Sequence, residues 1–537
     1  LIRRHAMLAA AGTFASAALI AAVTTAPSAA AGTSEGDAPA GNDRSTAAHG
    51  VAVAAARAAK KGVDWKDCPE SWGLAKPIQC GYVTVPVDYA RPDGRTIDLA
   101  VDRARSTGSK DERQGSLIYN PGGPGGSGLD FPKYVTEKDP VQAKPAKAYD
   151  YVGFDPRGVG HSAPISCADP QEFAKAPKPD PVPADEADKR AHRKLAAEYA
   201  QGCKERSGGD LLPHMNTPNT ARDLDVIRAA LGDAKLNYLG VSYGTYLGAV
   251  YAELFPSHVR RMVFDSVVNP ATEKIWYQAN LDQDVAFQGR WTDWTKWVAE
   301  HDDVYGIGAT RAEVQRQWDE LRAKAKKDPV GGVVGPAELL GLFQKASYSD
   351  GAWAPVAAVW SAYLKGDEKP LLKAAGPDMS NTAKNKEDEN GNAVYTAVQC
   401  NDANWPTDWR TWDRDSTRLH PKNPFLTWSN TWMNLPCATW PLKQREPVDV
   451  HPGKALPATL VVQSERDAAT PYAGAVELHK RLHGSRLITE KDAGNHGVTG
   501  LRNACVNERV DAYLLKGETG KKDVTCAAHE APEPETS

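Results

Sequence analysis

The apolar positions of this chain follow two periods, and the switches between them outline its parts. "YVTVPVDY" (82–89) and "TIDLAVDRA" (96–104) alternate apolar and polar residues, the mark of paired edge strands. "GSLIYN" (115–120) and "YDYVGF" (149–154) are more continuously apolar, as strands covered on both faces are. "NTARDLDVIRAALG" (219–232) has helical spacing, with Asn219 or Thr220 placed to cap it. Another helix follows Ser242 and must stop near Phe255, because Pro256 cannot continue it. "RMVFDSVV" (261–268) then reads as a further strand. Strands alternating with helices predict a mostly parallel sheet covered on both faces, an α/β architecture.

Other segments break this rhythm. "APKPDPVP" (176–183) is a Pro-rich linker, and the charge-laced stretch from Ala184 to Gln201 reads as an exposed helix. From about Asn269 to Trp440 the pattern is helical, and thirteen of the fifteen tryptophans fall there. This region is expected to be an inserted helical lid whose indoles mostly form its own core, a few lining a cleft. Within it "SNTAKNKEDENGN" (380–392) reads as a surface loop. The sheet pattern resumes at "ATLVVQSERD" (458–467) and "SRLITEKDAGNHG" (485–497), before a last helix at 507–517.

The start resembles an export signal. Arg3, Arg4 and His5 precede an Ala-rich apolar run to about Val23, then "APSAAAG", with cleavage expected near Ala29–Ala31. The expected division is a signal peptide (1–31), a disordered leader or propeptide (32–62), a first core part (63–268) and the lid (269–440). A second core part (441–526) and a disordered tail (527–537) complete it. Eight cysteines, none in a CxxC pair, favour disulfides in an exported chain. Pairing neighbours in order would close four local loops, although sequence leaves the connectivity open. A net charge of −4 gives no case for a nucleic acid or an anionic membrane as partner.

The chemistry concentrates at "GVSYG" (240–244), a G-x-S-x-G between a buried strand and a helix. Such an elbow holds its serine in strained backbone and aims a helix N-terminus at the place where an oxyanion forms. Ser242 is therefore the candidate nucleophile. The Gly-rich "YNPGGPGGSG" (119–128) offers the amide of Gly123 as an oxyanion donor beside that of Tyr243. A phosphate-binding loop fits poorly, because no Lys-Ser/Thr follows. His496, in a Gly-flanked loop, is the candidate base, with His161 in "DPRGVGHS" as the rival. Asp467 at a strand end is the candidate orienting acid, with Asp265 as the alternative. The order Ser242…Asp467…His496 is that of α/β-hydrolases.

With "CGYVTVPVDYARP", "LIYNPGGPGGSG", "VGFDPRGVGHSAP", "GVSYGTYLGAVYAELFP", "VVQSERDAATPY" and "AGNHGVTG", the chain resembles the secreted bacterial tripeptidyl aminopeptidases, serine exopeptidases related to prolyl aminopeptidases. The resemblance implies an α/β-hydrolase fold, a triad of Ser242, Asp467 and His496, and release of tripeptides from peptides with a free N-terminus. The family's histidine-led oxyanion loop has Pro121 here, which removes a side chain and leaves the backbone donor. No cofactor or metal is expected, and the enzyme is expected to be a monomer. A lid carboxylate would read the substrate ammonium, Asp402 being one candidate. A secreted esterase or lipase would use the same triad, and a non-catalytic binding protein would use none of it.

Overall fold

The computed structural model describes residues 40–136 and 143–535. The expected export signal and the first residues of the expected leader lie outside them. Among the described residues, ten strands form one sheet. They are β1 (Lys66–Asp67), β2 (Gln79–Pro86), β3 (Thr96–Ala104), β4 (Ser116–Asn120), β5 (Asp150–Phe154), β6 (Leu236–Ser242), β7 (Val259–Val267), β8 (Leu460–Ser464), β9 (Arg486–Glu490) and β10 (Val524–Cys526). Across the sheet they run β1-β2-β3-β5-β4-β6-β7-β8-β9-β10. The pairs from β1 to β5 are antiparallel, and every later neighbour is parallel. Burial explains the difference in pattern. Every residue of β5 and β8 is buried, whereas β2 exposes Tyr82 and Thr84 on its outer face. This is the α/β-hydrolase fold, with its helices laid over a largely parallel sheet.

The helix α1 (Ala40–Lys61) corrects, over its own length, the expectation of a disordered leader at 32–62. Ala47, Val51, Ala54 and Ala58 recur at helical spacing and are buried in the main core. The contact is close: a Cβ on Gly50 would lie 1.7 Å from the Tyr89 carbonyl oxygen. Small side chains look polar in composition, yet they let a helix approach the sheet. Helix α2 (Glu186–Arg206) follows the Pro-rich segment as expected. Helix α3 (Thr217–Ala230) starts earlier than its apolar spacing suggests, because Asn216 is the cap and its side chain accepts from the Asn219 amide. Helix α4 (Tyr243–Leu254) ends just before Pro256.

Between β7 and β8 the chain is built of helices. They include α5 (Tyr277–Glu300), α6 (Pro336–Tyr348), α7 (Thr382–Asp402), α8 (Trp409–Leu419) and α9 (Thr427–Asn434); α10 (Ala504–Lys516) follows β9. The tryptophans divide between two cores. Trp291, Trp294, Trp297, Trp318, Trp353 and Trp360 belong to a separate cluster. Trp276, Trp405, Trp412, Trp428, Trp432 and Trp440 join the cluster that reaches the sheet.

The expected surface loop at 380–392 is instead the first half of α7. Most of its polar side chains are at the surface as expected, but Glu389 and Asn390 are buried because they satisfy a neighbouring loop. The Asn390 side-chain amide donates to Gly158 O and Ile165 O, and Glu389 accepts from the amides of Cys167 and Ala168. Four disulfides join cysteines in chain order, Cys68–Cys80, Cys167–Cys203, Cys400–Cys437 and Cys505–Cys526.

The tail is a further correction, since residues expected to be disordered after 526 are docked. His529 bridges Asp350 and Glu490, the Trp297 indole donates to Pro532 O at 3.2 Å, and the Glu535 amide donates to the Tyr305 hydroxyl at 3.1 Å. The Asp350 and Glu490 carboxylates outweigh burial and raise the His529 imidazole from 6.5 to about 10. A pKa raised on folding stabilises fully below the unfolded value and ceases to do so above the folded one. His529→Gln should therefore lower the melting temperature most near pH 6, with the gap to the parent closing as pH rises toward 10. Thermal melts across that range test this, and a constant gap would contradict the ion-pair account.

Candidate active site

Ser242 ends β6 and precedes α4 with φ 60° and ψ −127°, a backbone that side chains rarely adopt. The flanking glycines are there for space. A Cβ on Gly240 would meet Gly244 O at 2.3 Å, and one on Gly244 would meet Asn120 O at 2.5 Å. The tight reversal lifts the serine to the carboxyl end of the sheet and starts a helix directly beneath it, with its N-terminal amides facing outward.

The loop after β4 lies against this turn. A Cβ on Gly122 would sit 2.7 Å from Ser242 Cβ and 3.0 Å from the Tyr243 nitrogen. The Gly122 amide donates to the Asn120 side chain and the Gly126 amide to Gly122 O. Gly123, at φ 108°, stands between them in a conformation open to glycine. On its outer side the loop is roofed by α7, where a Cβ on Gly125 would lie 2.4 Å from Gly391 O.

Asp467 and His496 meet across the ends of β8 and β9. His496 Nδ1 is 3.0 Å from both carboxylate oxygens of Asp467. Both residues are buried, at 7 and 2 % exposure for His496 and Asp467. The carboxylate is held by several donors: the amides of Ala469 and Thr470, the Thr470 hydroxyl at 2.9 Å and the Gln463 side-chain amide at 3.3 Å. Burial pulls the His496 imidazole down, but the charge and hydrogen bond of Asp467 overcome it and leave the pKa raised above 6.5.

Asp265, the alternative acid, has another task. It accepts from the amides of Val498 and Thr499, and Ser266 Oγ accepts from the Gly497 amide. These bonds seat the His496 loop on the end of β7, next to β6, where Ser242 is in register with Val267. A Cβ on Gly497 would reach Val241 at 3.5 Å. The fold thus gathers Ser242, Asp467, His496, Gly123 and Tyr243 at one end of the sheet. His161, the rival base, stacks its ring on Trp72 at 4.6 Å. Asp402 is buried behind the elbow, accepting from the Thr217 amide and hydroxyl, and that hydroxyl also bonds the Tyr243 phenol. Burial, partly offset by those bonds, raises its carboxyl to about 7. Asp402 is therefore a corrected candidate, because its oxygens are already engaged within the protein.

Some residues of the site carried no usable sequence signal. Tyr348, at the end of α6, accepts the His496 amide at 2.8 Å through its carbonyl and sets its ring edge-on to the imidazole at 5.5 Å. Gln463 and Thr470 brace Asp467, and of these only Thr470, three residues after an aspartate, could have been read as a turn partner.

The TAP-like protein family profile matches residues 423–526. A tripeptidyl aminopeptidase of Streptomyces lividans is 67% identical, over 99% of this chain and 99% of that protein. Another of that description from Streptomyces coelicolor is 70% identical over 91% of this chain and 90% of its own. The chain belongs to the tripeptidyl aminopeptidase family. The family also reaches a Mycobacterium tuberculosis protein described as carboxylesterase B, 34% identical over 86% of this chain and 89% of its own.

The crowding at the elbow has a measurable consequence. Gly240→Ala forces a Cβ into Gly244 O at 2.3 Å. That overpacking is expected to cost roughly 1–3 kcal/mol and to displace Ser242. Melting temperature and the rate of fluorophosphonate labelling at Ser242 should both fall. An unchanged labelling rate would show that the glycine is dispensable.

Proposed function

We propose that this chain is a secreted serine exopeptidase that releases tripeptides from peptides with a free amino end. The observation that carries the reading is the buried Asp467–His496 pair, joined at 3.0 Å, beside a serine strained to φ 60°. The two full-length Streptomyces relatives described as tripeptidyl aminopeptidases support the substrate class and the step length. Four disulfides fit an oxidising compartment outside the cytoplasm, and the signal-like residues 1–31 fit export. The chain is proposed to act as a monomer. In this reading residues 63–268 and 441–526 are the catalytic core and 269–440 is the lid.

In the reaction, Ser242 Oγ attacks the third peptide carbonyl while His496 Nε2 takes its proton. Asp467 holds Nδ1–H and so fixes the tautomer that leaves Nε2 free to accept. The oxyanion is received by the amides of Gly123 and Tyr243, each such donor contributing on the order of 2.7–4 kcal/mol to the transition state. His496 then gives its proton to the departing amine. Water, deprotonated by the same imidazole, cleaves the acyl-enzyme and restores the Ser242 hydroxyl. The side chains, two amides and water account for each proton and electron pair.

The base works only when neutral, and its pKa is raised above 6.5. Activity should therefore climb with pH along an acid limb displaced above the ordinary imidazole value. Asp467→Asn should lower kcat roughly 10,000-fold by removing the tautomer lock. An acid limb at or below 6.5 in the parent would contradict the assignment of His496.

An esterase reading has one specific support, the relative described as carboxylesterase B. N-acetylation separates the two. A peptidase that reads the free amine should lose an acetylated tripeptide anilide, whereas an esterase has no use for the amine.

A further inference from the structure

Three helix ends meet behind the nucleophile turn. Thr217 begins α3, Tyr243 begins α4 and Asp402 ends α7, and all three residues are buried. The Thr217 hydroxyl donates to Asp402 Oδ2 at 2.6 Å, and the Thr217 amide donates to Asp402 Oδ1 at 2.8 Å. The same hydroxyl lies 2.7 Å from the Tyr243 phenol oxygen. A hydroxyl has one proton to give. With that proton spent on Asp402, the phenol donates to Thr217 Oγ1, and the three groups form one directed chain.

Capping of α3 explains only part of this. A carboxylate at a helix N-terminus satisfies an amide there, and Asp402 does so for Thr217. Asn216 already caps α3 through the Asn219 amide, however, and the phenol bond adds nothing to that helix. What the phenol bond holds is the ring of Tyr243, which also packs at 6.1 Å from the Trp276 indole.

That ring belongs to the residue that follows the nucleophile. Ser242 makes no side-chain cap bond to α4, and the first amide of a helix has no partner within it. The turn at Ser242, with φ 60°, is strained, and such backbone persists only where its surroundings hold it. Gly122 packs on Ser242 itself, and the phenol anchor adds a hold at the next residue.

Helix α7 backs both proposed oxyanion donors. Its Gly391 lies against Gly125, two residues past Gly123, where a Cβ would meet Gly391 O at 2.4 Å. Its far end carries Asp402 and, beside it, Asn401, whose side-chain amide donates to Leu212 O and Met215 O at 2.8 and 2.9 Å. The Asn401 oxygen accepts from the Trp440 indole at 2.8 Å. The segment that leads into Thr217 is thus tied along its length to the end of α7.

We propose that Asp402 and Thr217 are positioning residues that hold the Tyr243 amide where it receives the oxyanion. The inference rests on the serine-peptidase reading of the site and deepens it. Both act through the Tyr243 phenol, and α7 thereby couples the helical region to the chemistry at Ser242.

The test uses the full-length protein, a tripeptide p-nitroanilide with a free amine, and the matching tripeptide aldehyde. Ser242 Oγ bonds to the aldehyde carbon, its proton passes to His496, and the former carbonyl oxygen takes the negative charge. Aldehyde affinity therefore reads the oxyanion site in a way that KM does not. Thr217→Val keeps the shape of the side chain and removes the hydroxyl. It is expected to lower kcat about 10- to 100-fold with KM near parental, and to weaken the aldehyde by the same factor. Thr217→Ser restores the hydroxyl and should recover most of both. Tyr243→Phe removes only the phenol oxygen, leaves the Thr217–Asp402 bonds in place, and should resemble Thr217→Val. It decides the matter if Thr217→Val does not fold. Parental kcat and aldehyde affinity in Tyr243→Phe would overturn the proposal, as would a Thr217→Ser as impaired as Thr217→Val. A parent that neither cleaves the anilide nor binds the aldehyde would overturn the peptidase reading, and this inference with it.

Discussion

A serine at φ 60° between two glycines is the constraint from which the rest of the site follows. The backbone can reverse there only because Gly240 and Gly244 leave no Cβ to collide with Gly244 O and Asn120 O. Once it does, one residue ends a central strand, begins a helix and presents its hydroxyl above the sheet. The glycine loop after β4 then packs on that turn, with Gly122 against Ser242 and the Tyr243 nitrogen. Backbone strain is thus exchanged for a fixed relation between a hydroxyl and neighbouring N–H groups, without any movement at the time of reaction.

The imidazole is held by a different principle. Its loop has little regular structure, so its position comes from bonds made by other elements. Asp265 and Ser266 at the end of β7 accept from the amides at 497–499, and Tyr348 accepts from the amide of His496 itself. One of those anchors belongs to the sheet and the other to the helical region. The region is in turn fastened to the core by Arg466 on Asp293 and by His529 between Asp350 and Glu490. Asn495 closes the circuit, accepting from the Asp350 amide beside the base. The helical region is therefore part of the geometry around His496 as well as a cover over it.

Buried polar groups follow the same logic elsewhere. Glu389 reads from the sequence as part of a surface loop and Asp402 as a candidate for the substrate ammonium, and both are consumed in satisfying backbone amides at the join of helix and loop. Asp284 instead accepts from a side chain, the Asn430 amide.

The strands, the elbow and the order of Ser242, Asp467 and His496 could all be read in the chain, because each is written in local spacing or local composition, whereas the cysteine pairing was left open. A buried strand must be apolar, and a strained turn must be flanked by glycine. Three readings failed together. Ala40–Lys61 and 382–392 are helix, and His529, Pro532 and Glu535 are docked. Each is rich in small, polar or proline residues, and its order comes from distant surfaces: Tyr89 for Gly50, loop 158–168 for Asn390, Trp297 for Pro532. The sequence by itself determined the candidate residues for the chemistry, since these depend on side-chain type and immediate backbone. Tertiary structure alone decided which carboxylates are already spent, since partnership is a matter of distance in space and leaves no period along the chain.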